Sequence, residues 1–175
     1  MKFNRNAPEL DATDRSILEL LQENCKQPLA AIGEKVGLSA PAVVDRIHKL
    51  EEAGLIRGYT AVLDARGLGK DVSAFIGVAA TPDSLRAVEG AVAGIDEVLE
   101  CHHVTGVHTL MLKVKTENTA SLERLIEEVR SLDGVSRTET MVVLSTHTER
   151  WRIALGVDGD EQPPRRSGGR RRAVK

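Results

Sequence analysis

A chain of 175 residues holds one domain or two small ones, and its 41% apolar residues are enough for a packed core. Aromatics are scarce at 2% (Phe3, Tyr59, Phe75, Trp151), which argues against single-strand nucleic-acid binding on stacked aromatic platforms. The formal net charge of −2 gives no overall attraction to a polyanion, and only residues 154–175 are basic, with 6 basic and 3 acidic side chains against 8 and 10 in 1–64 and 10 and 13 in 65–153.

The first segment has helical periodicity. In LDATDRSILELLQENCKQP, Leu10, Ile17, Leu18 and Leu21 fall on one stripe. Asp11 is placed as N-cap, Asp14 sits at the positive helix end, and Pro28 stops the run. LAAIGEKVGL gives a short helix with Leu29, Ile32 and Val36 on one face, ended by Gly37. Ser39 caps a third helix with Pro41 in its first turn and Val43, Ile47 and Leu50 as its apolar stripe, ending at Gly54. LIRGYTAVLD then reads as extended. DARGLGKD (64–71) contains the expected linker, and the period changes after it. VSAFIGVAA is a β-branched strand, and PDSLRAVEGAVAG is a helix opened by Pro82. Two strands meet at a Gly106 turn; a helix carrying Leu122, Leu125, Ile126, Val129 and Leu132 follows, and VSRTETMVVLST is the last strand. The order β-α-β-β-α-β is the ferredoxin-like arrangement, which leaves one sheet face for a partner, so dimerisation is expected.

Three short helices and an extended segment fit a winged helix-turn-helix, and the fold class is α+β. The expected boundaries are 1–64 for the DNA-binding domain, 65–71 for the linker, 72–153 for the second domain and 154–175 for a disordered basic tail. The turn Val36-Gly37-Leu38-Ser39 would set the third helix with its N-terminal end in the major groove of double-stranded DNA. There Ser39, Ala40, Ala42 and Val44 approach base edges, Arg46 and Lys49 reach phosphates or bases, and Arg57 in the wing touches the flanking backbone. Asp45, Glu51 and Glu52 count against this, and a three-helix bundle that binds protein or supports the second domain has the same spacing.

The ordered series LDATDRSILELLQEN, IGEKVGLS and Val43-x-x-Arg46-Ile47-x-x-Leu50-Glu51-x-x-Gly54-x-Ile56-x-Gly58-Tyr59, continued by LDARGLG, resembles the Lrp/AsnC (feast/famine) regulators over roughly residues 9–148. The resemblance implies a transcriptional regulator with a DNA-binding domain and an effector-sensing domain. It also implies homodimers that assemble into higher oligomers, and control by an amino acid or related small molecule. HHVTGVHTLMLKV is similar to the family's effector turn at a subunit interface, with Thr105, Gly106, Val107 and His108 in the turn. Gly106 permits close approach of backbone N–H groups to a carboxylate. Thr109 stands where the family places an aspartate, so an effector's ammonium group has no ionic partner there. Glu100, His108, Glu139, Thr138 and Thr140 are the candidate substitutes.

Cys101, His102, His103 and His108 invite a zinc reading, but strand alternation sends His102 to the face opposite Cys101 and His103, so packed or hydrogen-bonded histidines are expected and no metal. The same histidines keep open an enzyme alternative, a sirohaem decarboxylase on the same architecture. No Gly-rich phosphate loop, nucleophile triad or carboxylate pair appears elsewhere, so neither an enzyme nor a cofactor is expected. Cys25 and Cys101 lack CxxC spacing and read as reduced thiols. No apolar run approaches a membrane span or a signal h-region, so a cytoplasmic protein without membrane association is expected. The arginines of PPRRSGGRRRAVK suit a phosphate-contacting arm or an idle solvated end.

Overall fold

A computed structural model describes residues 10–156. The expected tail from Val157 onward lies outside the described residues. In chain order the elements are α1 (Ala12–Glu23), α2 (Leu29–Val36), α3 (Ala40–Glu52), β1 (Val72–Ala80), α4 (Leu85–Val92), β2 (Val98–His103), β3 (Leu110–Thr116), α5 (Thr119–Ser131) and β4 (Val135–Val142). They form two compact units. Of the described residues, 10–60 and 150–156 make up the first and 61–149 the second.

In the first unit the helix boundaries follow local chemistry. The Asp11 carboxylate accepts from the Asp14 N–H at 2.7 Å, and the Ser39 hydroxyl accepts from the Ala42 N–H at 3.4 Å, each satisfying an orphan donor of a first turn. Gly37 ends α2 in the left-handed region at φ 72°, which a glycine adopts without Cβ strain. The apolar stripes converge on Ile17, Ile32, Val43, Ile47 and Leu50, flanked by Leu10, Leu18, Leu20, Leu21, Val36, Leu38 and Ile56. Leu29, at the first position of α2, is 38% exposed and stands outside that core. Residues 55–64 run without a strand ladder in this single chain.

The second unit is a four-stranded antiparallel sheet in the order β2-β3-β1-β4. Ala74, Ile76 and Val78 of β1 and Leu110, Leu112 and Val114 of β3 point to one face. There they pack with Val88 and Val92 of α4 and Leu122, Leu125 and Val129 of α5. The two-residue period and the register put Phe75, Gly77, Met111, Lys113, Glu139 and Met141 on the opposite face, which neither helix covers. After β4, the Val143 N–H donates to Ser73 O at 2.9 Å, and Glu149 reaches Lys113, so residues 143–149 cross one end of that open face. Among the described residues no helix is long and apolar enough to cross a membrane.

Candidate functional site

The turn between α2 and α3 is built by two glycines. Gly37 supplies the left-handed residue, and the Leu38 N–H closes the helix end by donating to Gly33 O at 2.9 Å. Gly33 is fully enclosed: a Cβ there would lie 2.4 Å from the Leu38 carbonyl oxygen. Only a residue without a side chain lets the two segments approach this closely, and this sets the direction of α3 relative to α2. Gly37 was legible from its place after a helical run; Gly33 was not, because a glycine inside a helix signals nothing until its neighbour across the turn is known.

α3 presents its N-terminal end outside the core. Ser39 is exposed, and Ala40, Ala42 and Val44 are half-buried beside the buried Val43–Ile47–Leu50 stripe. Lys49 and Arg57 are exposed. Arg46 is placed differently: its Nη1 donates to Asp11 Oδ2 at 2.6 Å and to Asp14 Oδ1 at 2.7 Å, tying α3 to the first turn of α1. The Asp14 N–H first, and then this guanidinium, hold the Asp11 carboxyl below its usual range, while the two carboxylates raise the Arg46 pKa further. At the other end of α3 the Tyr59 hydroxyl donates to Glu51 Oε1 at 2.9 Å. Burial, and then this carboxylate, push its pKa up to about 12.

In the second unit, residues 104–109 join β2 to β3, with Gly106 at φ 117° and Val107 85% exposed at the tip. Thr109 has a structural task that its sequence position did not disclose. Its hydroxyl donates to Ala80 O and accepts from the Ala80 N–H, both at 3.2 Å, while its own N–H donates to Val78 O at 2.8 Å. An aspartate at this position has no proton for Ala80 O at neutral pH, so the departure from the family pattern is matched to the end of β1.

His108 lies over Gly77, where an added Cβ would come within 2.6–2.8 Å of the ring. Its Nε2 is 3.4 Å from Glu139 Oε2, and its buried Nδ1 has no hydrogen-bond partner. Glu139 is also 3.7 Å from Arg137. Glu100 bonds His102 at 2.9 Å and Lys113 at 3.0 Å; these partners, His102 first, lower its pKa. Bonded to Glu100 and Glu149, Lys113 has its pKa raised. Of the turn residues, His108 is the one brought to Glu139, while the Thr109 hydroxyl is bonded to Ala80. Thr138 and Thr140 pair with Val78 and Ile76, so alternation turns them to the helix-covered face, away from His108. Cys101 packs against the core while His102 pairs with Glu100, and among the described residues no three metal-ligating side chains converge.

The chain matches the AsnC-type helix-turn-helix domain over residues 10–51 and the Lrp/AsnC ligand binding domain over residues 73–153. It is 35% identical over 146 residues to the HTH-type transcriptional regulator FL11 of Pyrococcus horikoshii, covering 83% of this chain and 97% of that one. It is 39% identical over 140 residues to the leucine-responsive regulatory protein of Rhizobium meliloti, covering 78% and 90%. A transcriptional regulator of Neisseria meningitidis, solved as its L-Met complex, superposes with a TM-score of 0.79 at 28% identity, over 83% of this chain and 97% of that one. These relatives are regulators, and the sirohaem-decarboxylase alternative finds no support among them. Two family matches that together span more than half of the chain, with relatives at 35% and 39% identity, show that it belongs to the Lrp/AsnC family of transcriptional regulators.

Proposed function

We propose that this regulator reads double-stranded DNA with the N-terminal end of α3 and responds to an amino acid or related small molecule held around residues 104–109. The observation that carries the DNA half is the capped, outward-facing start of α3 after the Gly37 turn. In this reading Ser39, Ala40, Ala42 and Val44 meet base edges, and Lys49 and Arg57 meet phosphates. Arg46 serves by holding α3 against α1 through Asp11 and Asp14, and its contribution to DNA affinity is one of orientation. The regulator works in the cytoplasm, where its DNA is.

The effector half draws on the matched ligand binding domain and on the L-Met complex of the Neisseria regulator. Gly106 lets backbone N–H groups face a carboxylate. With Thr109 committed to Ala80, the acid available to an ammonium group is Glu139 beside His108. Thr138 and Thr140 take no part unless a second subunit brings them there. The open sheet face, with Phe75 paired to Met141, supports a homodimer that assembles further; Phe75 is 38% exposed and Met141 44% in the single chain.

Selection of bound fragments from a genomic library, followed by footprinting, tests the DNA half. Lys49→Ala and Arg57→Ala should each weaken the selected complex, and the absence of any retained duplex would overturn the reading. A thermal-shift screen of amino acids and keto acids tests the effector half, since a ligand of the folded state alone raises the melting temperature. Mass measurement in solution tests the assembly.

A further inference from the structure

The first unit is discontinuous in sequence. The chain leaves it after Thr60, builds the sheet unit and returns at Arg150, so residues 150–156 belong with α1, α2 and α3. The Gln22 side-chain amide, a donor and an acceptor at once, makes both of its bonds to one backbone residue. Its Nε2 donates to Ile153 O at 3.1 Å, and its Oε1 accepts from the Ile153 N–H at 2.6 Å. Arg15 Nη1 donates to Gly156 O at 2.7 Å, and Arg152 lies 3.6 Å from Glu23. Gln22 and Arg15 are seven residues apart on the helix, a rise of about 10.5 Å. Ile153 and Gly156 are three residues apart, about 10–11 Å when extended. The agreement means that the segment runs extended and antiparallel along α1, towards the first turn, where Asp11 and Asp14 hold Arg46 of α3.

The residues just before this segment are fixed to the sheet unit. The Val143 N–H donates to Ser73 O at 2.9 Å, and Glu149 Oε1 accepts from Lys113 Nζ at 3.1 Å. Each of these contacts lies inside one unit. Only Arg150 and Trp151 separate Glu149, whose partner is in β3, from Arg152, whose partner is in α1. Three residue steps reach at most about 10–11 Å. The outward crossing is built differently. Ten residues lie between Tyr59, bonded to Glu51, and Lys70, paired with Glu117. Part of that length is folded into a turn in which the Lys70 N–H donates to Ala65 O at 2.8 Å. A folded turn can open and give length, whereas a crossing of two residues has none to give.

We propose that residues 143–156 are a two-ended strap, and that this strap, rather than the linker at 65–71, passes a change in the sheet unit on to α1. A segment docked at both ends of so short a crossing cannot shift at one end without pulling on the other, and such coupling is equal in both directions. On α1 the pull falls on Gln22 and Arg15, and Arg15 adjoins Asp14, which bonds Arg46 of α3. Whatever moves β1 or β3 therefore has a covalent route to the helix-turn-helix unit. The coupling exists without DNA or effector, so its test is separate from both readings above.

Amide-resolved hydrogen exchange by NMR on the full chain reads the two ends of the strap separately. Loosening the α1 end with Gln22→Ala should speed exchange of the Val143 amide at least threefold, although that amide belongs to the other unit. Ile153→Pro removes the N–H donor from the strap side and should do the same. Loosening the sheet end with Glu149→Gln should speed exchange of the Ile153 amide at least threefold. The Val129 amide of α5, on the helix-covered side of the sheet, is the reference and should keep its wild-type rate in all three variants. A wild-type rate at Val143 in either α1-end variant, or at Ile153 in Glu149→Gln, overturns the proposal, because the two ends then dock independently. Equal acceleration of Val143 and Val129 also overturns it, since the whole unit has then lost stability and the strap carries nothing of its own. Exchange of the Val143 or Ile153 amide at the unstructured-chain rate in the wild type overturns it as well, since that end is then not held.

Discussion

Replacing Gly33 by Ala tests whether close approach of backbone, and not glycine flexibility, sets the angle of α3. The new Cβ would lie 2.4 Å from Leu38 O, whereas an unstrained carbon–oxygen contact is about 3.3 Å or more, so the turn must open by nearly 1 Å. Its neighbour is backbone, held by the bond from the Leu38 N–H to Gly33 O, and cannot swing away as a side chain would. Overpacking of this kind costs about 1–3 kcal/mol, and loss of that hydrogen bond about 1 more. Alanine returns about 1 kcal/mol through helix propensity. The net loss is about 1–3 kcal/mol, which for a unit this small lowers Tm by roughly 4–24 °C. Circular dichroism melting, with duplex binding measured below Tm, reads both effects, and affinity should fall because α3 is misaligned. Gly37→Asn is the control: the left-handed φ at Gly37 suits asparagine and nothing lies within 4 Å of its Cβ, so stability should be nearly retained. A Gly33→Ala protein that melts at or above the wild-type temperature would refute the close-approach reasoning.

Arg46→Ala should lower Tm, and Asp14→Ala should add little once Arg46 is gone. A double-mutant cycle on this partly exposed pair should give a coupling of about 0.5–1 kcal/mol, and a zero coupling would make the contact incidental. Thr109→Val leaves the Ala80 N–H and carbonyl without their shared partner and should cost about 1–2 kcal/mol, whereas Thr109→Ser should be close to neutral. Equal melting of the valine variant and the wild type would show that water replaces the hydroxyl. Glu100 has a lowered pKa in the folded protein, so its stabilising contribution is present above the unfolded value of about 4.3 and is lost as pH falls through the folded value. The Tm difference between wild type and Glu100→Gln should therefore be constant near pH 6 and shrink towards zero below about pH 4; a difference that persists in acid would point to packing as the cause.

Local regularities made the elements legible. The caps at Asp11 and Ser39, the stop at Gly37 and the spacing of Val43, Ile47 and Leu50 depend on neighbours within one or two turns, so the chain by itself determines α1, α2 and α3. The alternation in β1 and β3 likewise selects the core face, and the ordered family motifs identify a regulator. What lay beyond reach were partnerships between residues far apart in sequence. Arg46 is one surface cation among several until tertiary packing brings Asp11 and Asp14 within 2.7 Å of it. Thr109 looks like a missing acid until Ala80 is beside it, and Thr138 and Thr140 look available until register turns them towards the helices. The return of residues 150–156 to α1 through Gln22 carries no periodicity at all. Side-chain pairing across more than a hundred residues is decided by where the folded backbone passes, and only the tertiary structure supplies that path.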